Sequence, residues 1–162
     1  MPTLLITRAG YTKLQHEFNE LWSNERPKVT KIVAWAASLG DRSENADYQY
    51  NKKRLREIDR RLRYLRSQLE QLRIVDYHPS QEGKIYFGAR VYLKNFNGQS
   101  LAFRIVGPDE IFHNSDYISI DAPMARACLQ KSVGESVQVI VSGELPLDWE
   151  ITAITYYPSN NS

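Results

Sequence analysis

Apolar positions recur at two different periods along this chain. Leu55, Ile58, Leu62, Leu65, Leu69 and Leu72 are spaced 3, 4, 3, 4 and 3. That period of 3.5 predicts a long helix with a coiled-coil seam. Leu14, Phe18 and Leu21 mark an earlier helical face, which resumes at Val29, Ile32, Val33 and Ala36. Between them Pro27 lacks the amide proton of a helical bond, so a kink or break is expected there. Thr7 is placed to cap the first helix, and Gly40 suits the left-handed position just past a helix end. The connection at Gly40–Asp41 is short, so the two helical stretches must run antiparallel. A helix of about 30 residues is roughly 45 Å long. A narrow rod with residues 41–47 at its far end is predicted.

Beyond Tyr77–Gly83, which reads as a linker, the period changes to two. Residues 89–94 and 101–106 alternate like strands, with Asn97–Gly98 between them as a hairpin signal. Residues 123–131 suit a short helix with proline in its first turn, and 137–141 and 149–157 read as further strands. The expected class is α+β: a helical hairpin over 1–76, a linker over 77–83 and a small α+β domain over 84–158.

Composition sharpens this division. The net charge of +2 hides a basic part and an acidic part. Residues 1–76 hold 15 Lys and Arg against 10 Asp and Glu, while 77–162 hold 6 against 9. Such asymmetry points to modules with different partners, one of them nucleic acid. No apolar run reaches the roughly 20 residues that span a bilayer, and the N-terminus has no basic stretch before its apolar residues. The single cysteine, Cys128, leaves no internal disulfide and no cysteine-based zinc site. A cytoplasmic protein without a membrane partner is expected.

The candidate chemistry lies at the turn, where Asp41, Glu44 and Asp47 fall within seven positions. Two accounts fit. Asp41 and Glu44 have capping-box spacing, with Ser43 as an alternative cap, and acids suit a helix start. Alternatively, two carboxylates on a turn can share a Mg²⁺ ion whose other ligands come from elsewhere. Behind them, residues 52–73 carry nine cations against three acids. Lys53, Arg56, Arg60 and Arg63 are spaced 3, 4 and 3, so they share one helix face that can meet phosphates. Helical pairing, such as Glu57 with Arg61, is the plainer account.

The stretch Leu39-Gly40-Asp41-Arg42-Ser43-Glu44-Asn45-Ala46-Asp47-Tyr48, continued by Asn51 to Arg61, resembles the bacterial transcript cleavage factors of the Gre family. Arg42 and the strong basic patch resemble its GreB type, since the GreA type usually has Leu there. The likeness extends to Arg8-Ala9-Gly10-Tyr11 and to Asp121-Ala122-Pro123-Met124-Ala125-Arg126-Ala127. It implies a coiled coil that enters the secondary channel of a backtracked RNA polymerase. By that likeness Asp41 and Glu44 help hold the second catalytic Mg²⁺, shared with the polymerase, and orient the attacking water. Ser43, Asn45, Asp47 and Tyr48 would shape the tip. Lys52, Lys53, Arg56 and Arg60 would meet the nascent RNA 3′ end. The second module would have an FKBP-like fold and dock at the channel rim through Asp121 and Pro123. The protein would act as a monomer and would not be a nuclease alone. Two departures are Ala122, where Ser is common, and a longer, more apolar stretch at 143–149. A channel-binding regulator without cleavage, or a plain RNA-binding coiled coil, would use similar residues.

Overall fold

The computed structural model describes residues 2–40, 44–139 and 145–156. Contacts divide the chain into two compact units, Thr12–Gln71 and Met1–Tyr11 with Leu72–Ser162.

The helical unit is a hairpin. Its first arm runs through α1 (Arg8–Glu20), a π-helical turn (Leu21–Glu25) and α2 (Arg26–Ser38). Its second arm is α3 (Ala46–Gln71), about 39 Å long. The break expected at Pro27 is a π turn instead. Proline falls in the first turn of α2, and the amide of Arg26 reaches back to the Leu21 carbonyl, five residues away. The wider turn absorbs the disruption that proline brings. It also explains an irregular spacing. The buried residues Leu14, Leu21, Val29 and Ala36 are spaced 7, 8 and 7, and the step of eight spans the π turn. The extra residue keeps all four on one face.

Opposite them, α3 buries Tyr48, Ile58, Leu62 and Leu65. Leu55 and Leu69 are only half-buried. Leu72, expected to close this seam, lies beyond the end of α3 and belongs to the other unit. Gly40 has φ +108°, in the left-handed region its position after α2 requires.

The second unit holds a sheet of order β5-β4-β3-β7-β6. Its strands are β3 (Arg90–Asn95), β4 (Ser100–Val106), β5 (Tyr117–Ser119), β6 (Ser136–Val139) and β7 (Leu147–Thr155). Within this sheet, among the described residues, only the β4–β5 pair is parallel. Val91 and Leu93 alternate inward along β3 and pack with Phe103, Ile105 and Ile151. The helix α4 (Pro123–Cys128) adds Ala125 and Cys128 to this core. The Asn97–Gly98 signal marks a real hairpin. Asn95 accepts from the amides of Asn97 and Gln99, both at 3.0 Å, and Gly98 takes φ +81°.

The start of the chain joins this unit by contacts. Strand β1 (Leu5–Ile6) pairs in parallel with β2 (Arg73–Ile74), so both ends of the helical stretch are tied together. The expected linker at 77–83 contains a 3₁₀ turn, Pro79–Gln81, capped by the His78 ring. Among the described residues no helix is long and apolar enough to cross a membrane.

Candidate nucleic-acid and metal site

The start of α3 shows which residue caps it. The N-cap is Asn45: its Oδ1 accepts the Tyr48 amide at 3.0 Å. Its Nδ2 donates to the Ala36 carbonyl at 2.9 Å, tying the head of α3 to the last turn of α2. Glu44 therefore precedes the cap and cannot fill the third helical position of a capping box. It is exposed, with no hydrogen bond or ion pair to another described residue. Asp41, Arg42 and Ser43 lie outside the described residues. Asp47 sits exposed in the first turn of α3, where a negative charge suits the helix dipole. Tyr48 is buried at 6% exposure and receives the Lys52 ammonium at its hydroxyl, 2.7 Å away.

The cations of α3 fall into two groups. Arg61 makes a two-pronged bridge to Glu17, at 2.7 and 2.9 Å. Arg54 bonds Glu25 at 2.9 Å and also reaches Glu57. The expected Glu57–Arg61 pair is absent because each has a nearer partner. Arg26 crosses from α2 to Asp59 at 2.7 Å. Lys53, Arg56, Arg60 and Arg63 have no such partner among the described residues, and all four are exposed. They are the four placed on one face by their spacing. Lys52, implied by the resemblance as an RNA contact, is exposed and donates to the Tyr48 hydroxyl, its Nζ 5.1 Å from the ring centroid. The result is an unneutralised basic face starting two turns behind Glu44.

No three potential ligands gather among the described residues. A divalent ion at this turn could draw on Glu44, and on Asp41 outside the described set, as a partial site completed by another molecule.

In the other unit, Asp121 and Pro123 have separate jobs. Asp121 accepts from the amide of Thr3 at 2.8 Å and from its hydroxyl at 2.5 Å. The Thr3 hydroxyl and amide hold the Asp121 carboxyl below its ordinary range. Asp121 thus anchors the N-terminal segment. Pro123, at the first position of α4, is exposed.

Sequence reasoning missed Glu110. It is 1% exposed and accepts from the Thr7 amide at 3.0 Å, the Thr7 hydroxyl and the Gly107 amide at 2.8 Å. Thr7 in turn caps α1 by accepting the Gly10 amide at 3.1 Å, as expected. No local pattern links residues 103 positions apart. Trp22 was missed too; it is 56% exposed, with Arg26 over its ring. The available signal was an aromatic four residues before an arginine on a helix.

Comparisons with known proteins show the family. Residues 4–74 match the family model described as transcription elongation factor, N-terminal, and residues 80–156 that described as transcription elongation factor, GreA/GreB, C-term. Transcription elongation factor GreB of Vibrio cholerae is 57% identical, over 96% of this chain and 97% of that protein. GreB of Pseudomonas putida is 56% identical, over 96% of each chain. A solved structure of Thermus aquaticus Gfh1 aligns at 23% identity over 95% of this chain and 99% of that one, with a TM-score of 0.44. The chain belongs to the GreA/GreB family of transcription elongation factors.

Proposed function

We propose that this protein rescues RNA polymerase halted with its RNA 3′ end extruded into the secondary channel, by stimulating the polymerase's own cleavage of that RNA. The observation that supports it most is the capping of α3 by Asn45, which leaves the Glu44 carboxylate exposed and without a part in holding the helix. In this reading the turn between α2 and α3 enters the channel. Asp41 and Glu44 then complete a Mg²⁺ site with carboxylates of the polymerase. When bound, the ion supplies Lewis-acid stabilisation of charge at the scissile phosphodiester.

The chain's own residues orient and attract. Asn45 fixes where α3 begins and so keeps Glu44 outside the helix. Ser43, Asp47 and Tyr48 support the turn. Lys53, Arg56 and Arg60 guide the extruded strand, because unpaired cations exchange their counterions for RNA phosphates. Lys52 contributes less, its ammonium being engaged by Tyr48. Pro123 and the loop that Asp121 anchors dock at the channel rim. The protein works as a cytoplasmic monomer and does not cut RNA alone.

The test uses a backtracked complex with RNA labelled at its 5′ end. Shortening of the 3′ end on addition of protein, with the same RNA intact when polymerase is omitted, is the expected result. Binding without shortening would make the protein a channel-binding regulator instead.

A further inference from the structure

The two flanks of the hairpin differ. One is zipped by Glu17–Arg61 and Glu25–Arg54. The other holds an open groove of about 290 Å³, lined by Phe18, Trp22, Arg26, Leu62, Arg63 and Arg66, with Asp59. Its charges are not balanced. Asp59 is taken by Arg26, and Arg66 reaches Glu70 only at 3.8 Å. Arg63 is without a partner among the described residues. Trp22 keeps 56% of its surface exposed while the Arg26 guanidinium lies 5.7 Å from its ring centroid.

An open indole beside an uncommitted guanidinium suits a ligand with a flat ring and a negative charge. A nucleotide has both. Arg63 also belongs to the face of Lys53, Arg56 and Arg60, so a strand following that face arrives at the groove. We propose that the groove takes a nucleobase of single-stranded RNA, stacked on Trp22, with a neighbouring phosphate at Arg63. This rests on the reading that the basic face meets RNA, and adds a base contact to what would otherwise be a purely electrostatic track.

The test uses the full chain, without polymerase, and two probes of equal length: an oligoadenylate and an abasic ribose-phosphate oligomer. Stacking on one aromatic ring should make the wild-type protein prefer the oligoadenylate about tenfold. Trp22→Ala should erase the preference and Trp22→Phe should keep most of it. Trp35→Ala, which removes another exposed indole outside the groove, should leave it unchanged. Arg63→Gln should weaken both probes alike. Equal binding of both probes by wild type, or a preference that survives Trp22→Ala, would overturn the groove and leave the basic face standing. Failure of both probes to bind would overturn the RNA-guiding face with it. Asp41→Asn and Glu44→Gln should bind as wild type here, which separates this test from that of cleavage. Preference for an acidic peptide over both oligomers would assign the groove to a protein partner and also overturn the proposal.

Discussion

Glu110 accepts a hydrogen bond from the backbone amide of Thr7 at 3.0 Å, across 103 residues of sequence. The same carboxylate takes the Thr7 hydroxyl and the Gly107 amide. It thereby holds the first residues of the chain in the C-terminal unit and sets where α1 begins. Gly10 is needed for this: a Cβ there would lie 2.2 Å from Glu110 Oε1, and the carboxylate is held by too many bonds to move aside.

Removal of this carboxylate should cost stability. Glu110→Ala strands buried donors, at about 1–3 kcal/mol, and Gly10→Ala should be of the same order. Urea unfolding of each variant checks this. Unchanged midpoints would mean the N-terminal segment is held by other contacts.

Asn45 and Glu44 are neighbours with separate roles. Asn45→Ala removes a cap and should cost about 1 kcal/mol. Glu44→Gln should leave thermal stability unchanged, because the helix does not use that carboxylate. A loss of stability in Glu44→Gln comparable to that in Asn45→Ala would return Glu44 to a capping role.

The paired and unpaired cations should respond differently. Arg61→Gln breaks the exposed bridge to Glu17 and should cost at most about 1 kcal/mol. Gln at Lys53, Arg56 and Arg60 should leave stability unchanged and lower RNA affinity. The slope of log K against log salt should shrink by about 0.7 for each cation removed. Titrations at several salt concentrations read this directly.

The Thr3–Asp121 bond predicts a pH dependence. Its folded pKa is depressed by the Thr3 hydroxyl and amide, relative to an ordinary value of 3.8. The charged form is thus favoured in the folded state. Its contribution is full above the unfolded value and disappears as pH falls through the folded one. Asp121→Ala should be less stable than wild type at neutral pH, with the difference shrinking below about pH 4. A difference that stays constant through the acid range would show that the carboxylate charge is not what matters there.

The helical unit was largely readable because its information is local. The seam from Leu55 to Leu65, the Thr7 cap and Gly40 are each defined by neighbours within a turn or two. The disturbance at Pro27 is legible in the sequence, but periodicity does not distinguish a break from a π turn. The step of eight from Leu21 to Val29 holds that information in retrospect. The hairpin at Asn97–Gly98 was legible for the same local reason. The short strands β1, β2 and β5 were not. Two or three residues carry no period, and their pairing depends on contacts far along the chain. The same holds for Glu110, and for the Asp121 carboxylate, which faces Thr3 from 118 residues away. At the site, spacing put Lys53, Arg56, Arg60 and Arg63 on one face. Only three-dimensional partners reveal that these four stay unpaired among the described residues while Arg54 and Arg61 do not.

The most direct test of the central claim is the rate of RNA 3′-end shortening in backtracked complexes with Asp41→Asn and Glu44→Gln, each at saturating protein. Both variants should bind polymerase like wild type and shorten the RNA about 100-fold more slowly, as expected when a carboxylate of a metal site is lost. Shortening at the wild-type rate by either variant would contradict the account, and would leave that carboxylate without a part in the reaction.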